Sequence, residues 1–215
     1  IPLGKVKTKH ALTFGIILSI VSVAGLYFFS NFLSAVIIAI TILFYIFVYT
    51  IWLKRSTPQN IVIGGAAGSF PPVIGWTIST NYISIEPVIL FLIIFLWTPS
   101  HFWALSLYKN EDYKKANIPM LSVVSGEDVT KKNILFYSII LWPVTLAPYF
   151  LNFASFSNLI FVTIFGLFYI YLSFALLITK AKATSNKIAR NIFVFSIFYL
   201  FFIFSTILID NYFFL

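Results

Sequence analysis

Apolar residues run through this chain in long uninterrupted blocks, without the two-residue alternation of a strand or the one-sided stripe of a surface helix. A membrane-crossing helix needs about 20 mostly apolar residues. Residues 11–53 contain no Asp, Glu, Lys or Arg, which is room for two crossings with a turn near Ser30-Asn31. The whole pattern predicts seven spans, at 11–29, 32–53, 61–78, 87–108, 134–151, 159–178 and 192–209. The expected fold is therefore all-α, a polytopic transmembrane helix bundle filling residues 1–215. The third span carries Gly64, Gly65, Gly68, Pro71, Pro72 and Gly75. The two prolines must break or kink it, while Gly64 and Gly68 fit a small-residue packing face.

Composition and charge place this bundle. The chain is 60% hydrophobic and 9% charged, against about a quarter charged in soluble domains, which excludes a soluble enzyme or a disordered tail. There is no Cys, so disulfides and thiolate chemistry are excluded. The formal charge of +8 would suggest nucleic acid in a soluble protein; here its distribution gives another reading. Lys5, Lys7 and Lys9 precede span one, and Lys54 and Arg55 follow span two. Lys109, Lys114, Lys115, Lys131 and Lys132 follow span four, and Lys180, Lys182, Lys187 and Arg190 follow span six. Those are all fourteen basic residues, and every one falls on the same side. By the positive-inside bias that side is cytoplasmic, so the amino end is expected inside, the carboxyl end outside, and no nucleic-acid partner. Residues 1–10 lack the features of a signal peptide, and a start at Ile1-Pro2 reads as a segment of something longer.

No Asp, Glu, Lys or Arg lies within a predicted span. Charges at that depth are costly and usually functional, so their absence argues against a proton-coupled transporter or a retinal protein. Ionic chemistry is left to the cytoplasmic rim. The segment 109–133 reads as a loop holding Glu111, Asp112, Glu127 and Asp128. Mg²⁺ prefers one or two carboxylates with phosphate oxygens and water, so Glu111 and Asp112 could hold it against an anionic phosphate; a solvated loop that sets topology is the other reading. Glu127 and Asp128 follow Gly126 as an ordinary turn. In the loop 54–60, Lys54 and Arg55 could grip a diphosphate or carboxylate, or simply anchor the topology. His101 and Trp103, near the inner end of span four, could contact a ligand, haem included, or serve structure alone. The 43 aromatic residues offer cation–π faces to a carbocation as well as packing.

Two strings carry a family resemblance. YTIWLKRSTPQNIVIGGAAGSFPPVIGW (49–76) and FLWTPSHFWALSLYKNEDYKKANIPMLSVVSG (95–126) resemble the UbiA-type intramembrane prenyltransferases, and among them the protohaem IX farnesyltransferase (haem O synthase) group. The opening IPLGKVKTKHAL is similar to the segment after that family's first aspartate-rich motif. The resemblance implies that Glu111-Asp112-Tyr113 is the second acidic motif, running into Ala116-Asn117-Ile118-Pro119-Met120. It implies Mg²⁺ at Asp112 with Glu111, diphosphate on Lys54, Arg55 and Lys109, and a haem or acceptor pocket at His101, Trp103 and Tyr113. Family members have about nine spans and an earlier Asn-x-x-x-Asp-x-x-x-Asp motif. This sequence lacks that motif, so the chain resembles the carboxyl-terminal seven spans, an amino-terminally truncated bundle whose activity alone is in question. Ser100 stands where many relatives have a second proline. The implied reaction moves the farnesyl group of farnesyl diphosphate to a vinyl group of haem B, with addition of water, to give haem O for terminal oxidases. The implied setting is a bacterial-type inner membrane with the site on its cytoplasmic face, and a haem A synthase or oxidase-assembly protein as partner. The alternatives are a sister enzyme with a quinone-precursor acceptor, or a non-catalytic membrane protein that binds haem or aids assembly.

Overall fold

The computed structural model describes residues 4–213, and among them there is no strand. Seven helices are long and apolar enough to cross a membrane, and each corresponds to one predicted span. The first is α1 (Thr8–Phe29), which packs on α2 (Phe32–Leu43) and buries none of its own residues. The turn between them is built by Asn31. Its Oδ1 accepts from the Ser34 N–H at 2.9 Å, capping α2, while its Nδ2 donates 2.7 Å to the Thr77 carbonyl.

Span two changes its winding midway. From Phe44–Leu53 it is a π-helix, with the Lys54 N–H donating to the Tyr49 carbonyl at 2.8 Å and the Thr50 hydroxyl to the Tyr45 carbonyl at 2.8 Å. Hydropathy does not distinguish π from α winding, so nothing in the apolar run announced it. Such segments are uncommon and concentrate at functional sites. Span three is two helices, α3 (Asn60–Ser69) and α4 (Pro71–Thr80), meeting at Phe70. Phe70 stays in the helical region, so the prolines kink the span without opening a loop, with Pro71 starting α4 where its missing N–H costs nothing.

The centre of the bundle is α5 (Ile85–Tyr108), against which α3, α8 (Glu127–Phe150) and α10 (Lys182–Phe213) pack, with α9 (Phe156–Ile178) between α8 and α10. Ile93, Trp103, Ile134, Leu141, Val162, Tyr169, Ile192 and Tyr199 form its core. Hydroxyl pairs cross it: Ser100 to Tyr169 at 2.8 Å, Ser138 to Ser173 at 2.9 Å and Thr145 to Tyr199 at 3.2 Å. Helix interfaces in lipid use small polar residues this way, each worth about 0.6–2 kcal/mol.

The expected loop 109–133 is a correction. It contains α6 (Asn110–Lys115), α7 (Leu121–Val124) and the first turns of α8, which begins at Glu127, seven residues before its predicted span. Similarly α10 starts at Lys182, ten residues before its predicted span, and runs on through Asp210. Apolar runs mark where the bilayer lies, whereas a helix continues into water wherever its backbone bonds are kept. Gly126, at φ +84°, is the left-handed residue that starts α8, and Glu127 behind it pairs with Lys182 at 3.5 Å.

Candidate active site

The acidic motif sits on α6, immediately below the end of α5. Its backbone is held from beneath. The Ser122 hydroxyl contacts Asn110 Oδ1 at 3.2 Å and Ser106 Oγ at 3.0 Å. Asn117, in the left-handed region at φ 52°, reverses the chain, and the Ile118 N–H donates to the Tyr113 carbonyl at 3.1 Å. The turn buries Met120 and Leu121 in the core, so the string that follows the acids is their foundation.

Glu111 and Asp112 lie in the first turn of α6, where negative charge meets the helix dipole favourably. Each has an exposed lysine partner three residues away: Lys109 Nζ to Asp112 Oδ2 at 3.3 Å and Lys114 Nζ to Glu111 Oε1 at 3.1 Å. Pairs this exposed contribute about 0–1 kcal/mol, so a dication bound to phosphate oxygens would readily replace the lysine. Adjacent positions on a helix point in different directions, so the two carboxylates do not form one chelating pair. Among the described residues no group of three His, Asp or Glu is assembled for a metal. The donor set fits a magnesium ion that takes one carboxylate from α6 and most of its other oxygens from substrate and water.

Lys54 and Arg55 leave the end of the π segment, above the buried Leu53. Buried Asn60 donates 3.2 Å to the Lys54 carbonyl, which fixes the turn and leaves both cationic side chains free of its bonding. A chain of neighbours joins this region to α6. The Tyr49 hydroxyl is within electrostatic reach of Tyr45 and Tyr113. Tyr113 in turn feels Tyr108 and Asp112 electrostatically, and Tyr108 feels Arg190 and Lys109. Burial, with Tyr108 and Asp112 adding to it, pushes the Tyr113 hydroxyl above its ordinary pKa, so it remains a neutral donor throughout the physiological range. Tyr108 of span four meets Phe193 of span seven with ring centroids 6.2 Å apart, and spans two and four border one cavity, so Arg190, one turn before Phe193 and a topology marker in the sequence, stands at the same rim.

His101 and Trp103 are placed elsewhere. Trp103 is fully buried, edge-on to Tyr137 with ring centroids 5.4 Å apart, in the packing of the bundle. His101 is buried between the rings of Trp97 and Phe193, with Nδ1 2.7 Å from Ser196 Oγ. Neither lines the cavity beneath the rim. That cavity, about 270 Å³, is walled by Tyr45, Tyr49, Gly64, Gly68, Trp97 and Phe102, among others. The glycines that read as a packing face therefore also leave room for it, and Trp97 is a lining residue that no sequence pattern singled out. Arranged together, the rim offers carboxylate and cations for a metal-bound diphosphate, and the cavity offers aromatic faces for an apolar, transiently cationic group.

The chain is similar to several known proteins. The protoheme IX farnesyltransferase of Pelagibacter ubique is 56% identical over 211 residues, covering 98% of this chain and 70% of the relative. That of Parvibaculum lavamentivorans is 50% identical, covering 98% of this chain and 66% of the relative. This chain thus spans about two thirds of the length of the curated relatives it matches. A solved structure of digeranylgeranylglyceryl phosphate synthase matches in fold, with a TM-score of 0.75 at 23% identity over 96% of this chain and 72% of that one. The family model of the UbiA prenyltransferases aligns with residues 1–207, so the seven-helix chain is an integral membrane protein that belongs to the UbiA prenyltransferase family.

Proposed function

We propose that this protein transfers the farnesyl group of farnesyl diphosphate to a vinyl group of haem B, forming haem O. The observation that carries the reading is the identity of 50–56% to relatives named protoheme IX farnesyltransferase across 98% of the chain. In the reaction the C1–O bond of farnesyl diphosphate breaks and its electron pair leaves with the diphosphate. C1 bonds to the terminal vinyl carbon, water adds its oxygen to the inner carbon, and the water's second proton is lost to solvent. Asp112, with Glu111 nearby, would hold Mg²⁺, which when bound neutralises the departing diphosphate. Lys54, Arg55 and Lys109 bind the diphosphate oxygens, more strongly as charge develops on them. Tyr113 stands beside them as a hydrogen-bond donor. The cavity under the rim shields the allylic group from water, and Tyr45 and Tyr49, with rings 5.2 Å apart, present π faces to it. The porphyrin enters from the lipid with its propionates toward the rim cations. The rim faces the cytoplasm across a bacterial-type inner membrane, and haem O passes to a haem A synthase or oxidase-assembly partner.

The test is the full-length protein in proteoliposomes with farnesyl diphosphate, Mg²⁺ and either haem B or a 4-hydroxybenzoate-type quinone precursor. Haem O formed only from haem B is the expected result; prenylation of the quinone precursor instead overturns the acceptor. Asp112→Asn should lower kcat/KM at least about 100-fold, the scale of losing one charge-stabilising group at the reacting centre, with partial recovery at raised Mg²⁺. Unchanged activity in that variant sinks the metal role.

A further inference from the structure

Two cavities meet at Ile94 and Trp97. The cavity beneath the rim, about 270 Å³, lies between the π segment, α3 and α5. A second, apolar groove of about 700 Å³ lies deeper, between the kink at Pro71, α5 and α10, lined by Leu90, Leu200, Phe201, Phe204 and Leu208 among others. Only Ile94 and Trp97 line both. Trp97 is twelve residues before Lys109 along α5, which at 1.5 Å per residue places it about 18 Å below the rim.

The Trp97 ring is fixed from several directions. Its Nε1–H donates to the Ser196 carbonyl at 2.8 Å. Its face stacks on His101 with centroids 4.1 Å apart and planes at 20°. His101 stacks in turn on Phe193 at 4.5 Å. The Ser196 hydroxyl lies 2.7 Å from the Phe193 carbonyl of its own helix and 2.7 Å from Nδ1 of His101. One turn of α10 thereby holds the plane of His101 and, through it, the plane of Trp97. A tryptophan has two side-chain torsions, and here both are constrained.

We propose that Trp97 is the floor of the hydrocarbon cavity and limits the length of isoprenyl chain accepted, with His101 and Ser196 acting as positioning residues. The proposal rests on the isoprenyl-transfer reading above. A diphosphate at the rim directs its chain down the cavity, and the chain's far end meets the Trp97 ring. Beyond that ring lies the apolar groove, which would take a longer chain if the ring were absent. His101 thus acts on the substrate through Trp97 without touching it.

The experiment offers the full-length protein haem B with farnesyl and geranylgeranyl diphosphates in competition and reads the product ratio by mass. Trp97→Ala, which joins the cavity to the groove, should raise geranylgeranyl over farnesyl use at least about tenfold, the discrimination a few methylenes command in an apolar pocket. Trp97→Phe, which keeps a ring, should shift it far less. His101→Ala should shift it in the same direction as Trp97→Ala by a smaller factor. A gain with the longer chain is not something misfolding produces. If the parent protein transfers farnesyl and Trp97→Ala leaves the ratio unchanged, the floor is overturned and the transferase reading stands. If the parent transfers neither chain, both fall.

Discussion

A Cβ placed on Gly64 would stand 2.2 Å from the Tyr49 ring, and one on Gly65 2.9 Å from Thr98. Glycine at 64 is thus required by where the ring sits, since its own backbone is ordinary helix. Gly64→Ala should push Tyr49 into the cavity it lines. We expect a stability loss of about 1–3 kcal/mol, typical of overpacking, and a matching fall in prenyl transfer. Adding Tyr49→Ala removes the clash, so the double variant should regain the stability that Gly64→Ala alone loses; additive losses in detergent unfolding would show that the two do not interact. At this scale the sequence was legible where residues are chemically distinctive. Carboxylates and paired cations at a membrane edge stand out as candidates, and the motif around Asp112 was read as a site through its resemblance to the family's acidic motif. Trp97 and Tyr49 could not, because an aromatic residue in an apolar span looks the same whether it faces lipid, core or cavity. His101 and Trp103 show the converse, since proximity in sequence to the inner end of span four does not say which face of the helix they occupy.

Among the elements, α9 carries no charged residue, yet both of its ends are met by charges from its neighbours. At its start, buried Asp210 of α10 accepts from the Ser155 N–H at 2.8 Å, and Asn158 donates 2.7 Å to Thr206. At its end, buried Lys131 of α8 donates 2.9 Å to the Thr179 carbonyl. An acid at the amino end and a base at the carboxyl end each complement the helix dipole and satisfy a backbone group that the helix cannot. Asp210→Ala and Lys131→Met should each destabilise the bundle by about 1–3 kcal/mol, the cost of a stranded buried backbone group. Asp210→Asn, which keeps an accepting oxygen, should cost less. Thermal unfolding in detergent reads both, and equal losses for Asp210→Ala and Asp210→Asn would refute the capping role. Lys131 had counted in the sequence only as a topology marker. The existence of the spans was legible from apolar length, and the kink from Pro71 and Pro72. The cytoplasmic helix ends and the π winding were not, because neither is determined by hydropathy.

For the whole molecule, orientation is the property on which every proposed role of the rim depends. All fourteen basic residues lie at the end of the bundle where α6 and α7 stand, and the turns at the other end carry none. An orientation with that end cytoplasmic follows the positive-inside bias and brings the acidic motif to the side where a soluble diphosphate is supplied. The absence of cysteine from these 215 residues makes the arrangement directly measurable, since none of them competes with an introduced thiol for the label. Lys115→Cys and Lys187→Cys replace exposed residues of the rim, and Asn81→Cys and Asn152→Cys exposed residues of the opposite turns. In intact cells an impermeant maleimide should label the second pair and spare the first, and inverted vesicles should reverse the pattern. The opposite result would move the rim outside, separating it from cytoplasmic farnesyl diphosphate, and the proposed reaction would then lose its substrate supply however well the residues fit. Labelling of all four from one side would contradict the seven-span arrangement itself, because the two pairs lie at opposite ends of helices that each cross the membrane once.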